Sequence, residues 1–313
     1  MRNWKRMLLP LMLCAALVMG TMTSAAATSG PREQCYNADD LKSLNKTKVA
    51  GGEGTLYGLF SSTRDEAGAD QAIKEIGIMR LDPGDSIGLH THGVNEDTYI
   101  ILYGTGLFTD GVTETQVSAG DVTLARPGQG HGLTNNSDDV LVFLDVIAQN
   151  NNAPMHLGWN DGETCQCFRH KTGMHQWNRQ DVAGGKGTLY GSFAFDRNEA
   201  TDWMAIKEIG WMTLQPGDSI GLHKHTVNED AYIIISGTGT FSDGVKETQV
   251  TTGSITIARA GQSHALANTG TEPLVFLDII AQNDPLNITE EIRAAAAAAQ
   301  ALLDAQKNQT TDK

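Results

Sequence analysis

At 313 residues the chain has room for about two domains of ordinary size, each able to bury a core. Its formal net charge of -14 repels phosphate backbones and anionic lipid, which argues against nucleic-acid and membrane-surface partners. Aromatic residues make up 6% and there are 34 glycines, a balance that suits short strands joined by turns rather than long helices.

The first residues carry Arg2, Lys5 and Arg6, then an apolar run, then small residues up to Ala27. That order is the anatomy of a secretory signal over residues 1–27. The run from Met7 to Met19 is too short for a retained membrane span. Cys14 lacks the preceding small residues of a lipid-anchor site. We therefore expect a periplasmic or secreted protein, whose charge falls from -14 to -17 once the three leader cations are gone. Cys35, Cys165 and Cys167 remain, and an oxidising compartment permits a disulfide between Cys35 and one of the others. Their spacing is a weaker match to a zinc site.

Beyond the leader the chain repeats itself. VAGGEGTLYG (49–58) returns as VAGGKGTLYG (182–191), AIKEIG (72–77) returns at 205–210, and FLDVIAQN (143–150) returns as FLDIIAQN (276–283). The offset is 133 throughout, far longer than a solenoid repeat, so each copy is a domain. The expected division is 36–152, a linker at 153–167 within the lead-in stretch 151–177, and 168–285. Inside each copy, runs such as IKEIGIMRL, TYIILYG and VLVFLDVIA alternate with turn signals such as DPGDS, TDG and NNSDD. Strands at that spacing with no helices between them predict a sandwich or small barrel. One α-helix is predicted, in the segment 286–313, capped by Asn287 with Glu290 three residues on and followed by a polar tail.

Six of the nine histidines form two sets at the same offset: His90, His92 and His131, then His223, His225 and His264. Residues i and i+2 of a strand share a face, and imidazole is a common metal ligand. Acidic pairs follow each His-x-His, at Glu96-Asp97 and Glu229-Asp230. A metal-free barrel in which these histidines merely hydrogen-bond would account for one such set, and accounts poorly for two. His156, His170 and His175 do not repeat and read as surface residues.

Here the chain resembles the cupin superfamily. GDSIGLHTHGVNEDTYIILYG (84–104) and GDVTLARPGQGHGLTN (120–135) are similar to its two signatures, and 217–237 and 253–268 repeat both. The resemblance implies an all-β protein of two tandem small antiparallel β-barrels, a bicupin, each barrel holding one divalent metal by three histidines and an acid. Carried over, the ligands are His90, His92, His131 and Asp97, then His223, His225, His264 and Asp230. The register to Gly104 and Gly237 favours these aspartates. The shorter gap after the second histidine leaves Glu96 and Glu229 as alternative acids. Manganese or iron suits such mixed ligation, as do nickel and zinc.

Two further pairs invite roles. Arg126 and Arg259 stand where the signature usually has proline. They are candidates for holding an anionic substrate, the plainer alternative being an ion pair with a surface acid. Tyr99 and Tyr232 share a face with the aspartates and are candidate proton donors, the alternative being core aromatics. Asp145 and Asp278 also repeat, in a final strand where an acid more often serves a turn or neighbouring strand. Between the two copies of 84–106, only Tyr103/Ser236 differs on the face of Asp97, so that pair is expected to make the two pockets unlike. The expected function is a metal-dependent enzyme, a dioxygenase or decarboxylase, acting on a small oxygenated anion; a homo-oligomer is compatible with this. A non-catalytic ligand-binding or metal-storing protein is the alternative.

Overall fold

The computed structural model describes residues 34–153 and 168–284. The expected leader, the helix over 286–313, His156, Cys165 and Cys167 lie outside the described residues, and with them the helix and the disulfide. The described residues follow the 133-residue period. Each half is a seven-stranded sheet facing a four-stranded one, and every strand pair is antiparallel.

In the first half the larger sheet runs, edge to edge, through Phe168–Arg169, Val122–Ala125, Asn95–Tyr103, Leu141–Gln149, Ile73–Leu81, Thr55–Ser62 and Lys42–Thr47. The smaller sheet runs Ser86–Thr91, Gly130–Thr134, Thr105–Thr109 and Glu114–Ser118. The second half repeats this order from Cys35–Tyr36, Ile255–Ala258 and Asn228–Ser236 across to His175–Gln180. The outermost short strands are exchanged. Phe168–Arg169 pairs with the first half, and Cys35–Tyr36 pairs with the second.

The long central strands read as nearly continuous apolar runs because both of their faces are covered. On Asn95–Tyr103, Tyr99 and Ile101 enter the first barrel's own core. The alternate residues Ile100 and Leu102 enter a separate cluster shared with Ile206, Ile209, Ala231, Ile233 and Ile235 of the other half. The barrels thus pack larger sheet against larger sheet, and truncating one of these buried isoleucines to alanine costs about 2–5 kcal/mol.

The repeated VAGG segment explains the glycine of the strand it faces. At Gly88 a Cβ would lie 2.2 Å from the Ala50 carbonyl oxygen, and at Gly221 it would lie 2.2 Å from that of Ala183. The loop therefore presses backbone to backbone on the strand that carries the first histidine of each set. Ala50 and Ala183 accept left-handed φ values of 52° and 53° to do so, an uncommon conformation for a residue with a side chain.

Candidate metal centres

The smaller sheet delivers the histidines and the larger sheet delivers the acid. His90 lies on Ser86–Thr91 directly opposite His131 on Gly130–Thr134, and His223 lies opposite His264. Irregular register beside these pairs turns the side chains inward. Asp97 and Asp230 come from the long central strand, on the face of Tyr99 and Tyr232.

In the second half the three Nε2 atoms form a triangle of 3.1 Å (His225 to His223), 2.9 Å (His225 to His264) and 3.1 Å (His264 to His223). In the first half His92 Nε2 lies 3.0 Å from His131 Nε2. An Oδ2 of Asp97 lies 3.4 Å from both of those nitrogens, and Asp230 lies 3.4 and 3.3 Å from its pair. In each set one ligand atom from each of the four residues lies within 4.8 Å of the other three.

The protonation pattern shows what these atoms want. Nδ1 of His90 donates to the Gly88 carbonyl, Nδ1 of His223 to Gly221, and Nδ1 of His225 to Asn228 Oδ1. A proton on Nδ1 leaves a bare lone pair on Nε2 of a neutral ring. Burial favours the neutral form of His92, His131, His223, His225 and His264. It lowers His92 to about 3, with His131 and His90 adding to the effect, lowers His225 to about 4 and His264 to about 3, and takes His131 well below the usual imidazole range. Lone pairs pointed at one another at about 3 Å repel unless a cation lies between them. The second oxygens of Asp97 and Asp230 are buried with no donor from the backbone, beside the carboxyls of Asp145 and Asp278. The donor sets therefore fit a divalent ion in each half. Ligands at right angles about 2.1 Å from an ion lie about 3.0 Å apart, and tetrahedral ones about 3.4 Å apart, so the triangle suits octahedral ligation.

The alternative acids go elsewhere. One-residue parity sends Glu96 and Glu229 to the opposite face of the strand, into the contact between barrels. Glu96 accepts from the backbone N–H groups of Ala205 and Ile206 at 2.9 Å each and from Arg126 at 2.9 Å. Glu229 accepts from Ile73 N–H at 2.9 Å and from Arg259 at 2.6 Å. This corrects the expectation for Arg126 and Arg259. Their guanidinium groups are engaged by these buried glutamates and do not line the metal pockets.

Tyr99 and Tyr232 do line the pockets. They stack face to face under His131 and His264, with ring centres 4.3 and 4.6 Å apart. Burial, then the nearby Asp97 and Asp230, raises both phenols well above their usual range, so they stay protonated and act as poor acids. Tyr103 corrects another expectation. A bulge shifts the pairing between Ile101 and Tyr103, and its hydroxyl donates to Asp139 at 2.6 Å on the surface. His170 and His175 are exposed, as expected.

Four pairs at the same 133-residue offset were passed over as site residues. Asp145 and Asp278 sit in the pockets beside Asp97 and Asp230. Burial and the neighbouring carboxylates raise both well above the usual range, while Asp97 and Asp230 are pushed up to about 7 by burial. Arg64 and Arg197 line the same cavities, of about 310 Å³ each, half exposed and backed by the buried Glu75 and Glu208. Lys46 and Arg179 complete the walls. The exact period was the signal that could have found them.

A family model described as the cupin domain matches residues 77–147 and 210–280. A 69-residue stretch is 41% identical to an oxalate-binding protein of Thermotoga maritima, covering 22% of this chain and 57% of that protein. The chain thus spans little more than half the length of the curated relative it matches. Oxalate decarboxylase of Bacillus subtilis, described with Mn(II) centres, has a TM-score of 0.57 at 17% identity, over 82% of this chain and 79% of that one. The same protein at pH 4.6 gives 0.56 at 18% identity, over 82% and 78%. Identity at that level shows a shared fold.

Proposed function

Starting from a chain that belongs to the cupin superfamily as a bicupin, we propose that it is an exported metal-dependent protein that binds a small dicarboxylate of the oxalate class and decarboxylates it. One observation carries this reading. Neutral imidazoles and a carboxylate converge at the base of a cavity of about 310 Å³ whose wall holds a half-exposed arginine. That volume stands at the small end of ligand pockets. The lining rather than the volume favours an anion: Lys46 and Arg64 face one cavity, Arg179, Arg197 and Lys224 the other, which sets decarboxylation of a small acid above ring-cleaving oxygenation.

A bound divalent ion, manganese or iron by the ligand set, supplies a Lewis acid for the substrate's oxygens. The chain's own groups do the rest. Arg64 or Arg197 orients the distal carboxylate through its forked donors. Tyr99 and Tyr232 fix the tilt of the third imidazole by stacking. The carboxyl pair Asp97–Asp145, or Asp230–Asp278, keeps one proton beside the pocket. In the reaction the carbon–carbon bond breaks, one half leaves as carbon dioxide, and the other keeps the electron pair. A proton then completes formate, so no net oxidant is needed.

The test is full-length protein loaded with manganese and given oxalate, with carbon dioxide, formate and dissolved oxygen followed together. Equal release of carbon dioxide and formate supports the reading. Oxygen uptake in proportion to substrate replaces it with an oxidase or oxygenase. Tight retention without turnover leaves the binding protein, a reading favoured by the 41% identity to an oxalate-binding protein.

A further inference from the structure

The two pockets share their ligand sets but not their walls. The second is lined by Arg179, Arg197 and Lys224, against the acids Asp230 and Asp278. The first is lined by Lys46 and Arg64, against Asp97, Asp145 and Glu75. Glu75, though buried and paired to Arg64 at 3.6 Å, borders its cavity, whereas its counterpart Glu208 is paired to two arginines and does not border its own.

The arginine at 179 is held and incompletely used. Its guanidinium lies 3.9 Å from the ring centre of Trp177 and 5.6 Å from that of Phe193. Both it and Arg197 turn to the same oxygen of Glu208, at 3.8 and 3.1 Å. The Nε of Arg179 is buried with no hydrogen-bond partner. A guanidinium has five donors in a fixed fork, and one shared oxygen satisfies few of them. In the first half Leu44 stands where Trp177 does, and Lys46 stands where Arg179 does. Lys46 is exposed, with its ammonium 5.6 Å from the Phe60 ring and in no ion pair among the described residues. It is a mobile point charge, where Arg179 is a fixed fork.

We propose that the two centres are divided by charge: the second barrel's pocket is the dianion site, and Arg179, steadied on Trp177, determines that specificity. This inference rests on the carboxylate reading above. Arg197 holds one end of the ligand's distal carboxylate in that pocket, and the free donors of Arg179 take the rest. In the first pocket Glu75 opposes a second negative charge.

The experiment uses full-length manganese-loaded protein in which one centre has been removed by His90→Ala or His223→Ala. Oxalate and acetate binding are measured by calorimetry, and manganese content is checked for each variant. The His90→Ala protein, keeping the second centre, should bind oxalate at least about tenfold more tightly than the His223→Ala protein. Adding Arg179→Lys to the His90→Ala protein should weaken oxalate about tenfold and acetate less than about twofold, with manganese retained. Oxalate should also shift the emission of Trp177, identified by its loss in Trp177→Phe. In the converse direction, Leu44→Trp with Lys46→Arg should tighten oxalate at the first centre. Equal oxalate affinity in the two single-centre proteins overturns the inference. So does an Arg179→Lys change that leaves oxalate untouched or weakens acetate equally. If the unsubstituted protein binds no oxalate, the carboxylate reading fails and takes this inference with it. If it binds oxalate with indifference to Arg179, this inference alone fails.

Discussion

The two barrels agree where imidazoles meet and disagree where the pocket opens. Closest approaches between ligating nitrogens are 3.0 Å in one and 2.9–3.1 Å in the other. Yet the edge strands that complete the walls carry Leu44 and Lys46 on one side and Trp177 and Arg179 on the other. The difference follows from constraint. A ligand atom displaced by a fraction of an ångström no longer reaches a common point, and even the edge strands that carry His90 and His223 are held by the VAGG loop pressed against them. The outer strands of the larger sheets carry no ligand and accept a bulkier or more polar residue at small cost in stability.

Four measurements would break or sharpen this comparison. The largest effect concerns what is shared. His90→Ala and His223→Ala should each lower the metal content from about two ions per chain to about one, and the double variant should hold almost none, as read by elemental analysis. A single variant that empties both centres would show that the barrels do not bind independently.

Next come the glutamates between the barrels. Glu96→Ala and Glu229→Ala each strand a largely buried arginine and backbone N–H groups. Each should cost about 3–5 kcal/mol in denaturant unfolding. Glu96 accepts one more backbone bond than Glu229, so its loss should be the larger.

Proton release on metal binding comes third. His92, His225 and His264 raise no barrier near neutrality, being held neutral down to about 3 or 4. Asp97 and Asp230, pushed up to about 7, must lose a proton to bind. Calorimetry in buffers of different ionisation heat should find about one proton released per ion at pH 6. Affinity should climb about tenfold per pH unit below 7 and level off above it. In the metal-free protein the signs differ by group. Raised carboxyls keep a proton that the unfolded chain releases near 4, so their contribution to stability is full below about 4 and is lost as pH rises to about 7. Depressed histidines refuse a proton that the unfolded chain takes up below about 6.5. Their contribution is present above that pH and is lost as pH falls towards 3 or 4.

The smallest effect is Tyr103→Ser, which installs the residue found at 236. Its hydroxyl meets exposed Asp139 and its ring packs, partly buried, against the cluster between the barrels, so stability should fall by about 1 kcal/mol and ligand affinity at the first centre should not move. A changed affinity would return that position to the pocket.

How far the sequence spoke can be judged from particular residues. The 133-residue period and the spacing of six histidines carried the two barrels and their convergent imidazoles. The register to Gly104 was the ground for preferring Asp97 over Glu96, and because neighbours on one strand face opposite ways that preference sends Glu96 to the other face. The same rule failed at Tyr103, where a bulge resets it. It could not say what lay behind Arg126, because the buried partner belongs to a face created by the other barrel. Arg64 and Arg197 were hidden for a similar reason. They stand eleven residues before Glu75 and Glu208 across a turn, so their meeting at the cavity depends on how that segment folds back.

The exchanged outer strands bear on how such a molecule comes into being. Until residues 168–169 emerge, Val122–Ala125 presents a bare row of hydrogen-bonding groups along one margin, open to adhesion with another nascent chain. The earlier barrel is therefore finished only after its successor has begun. Once both are closed, a protease nick between residues 154 and 167 should leave two fragments clasped together, separable only by denaturation.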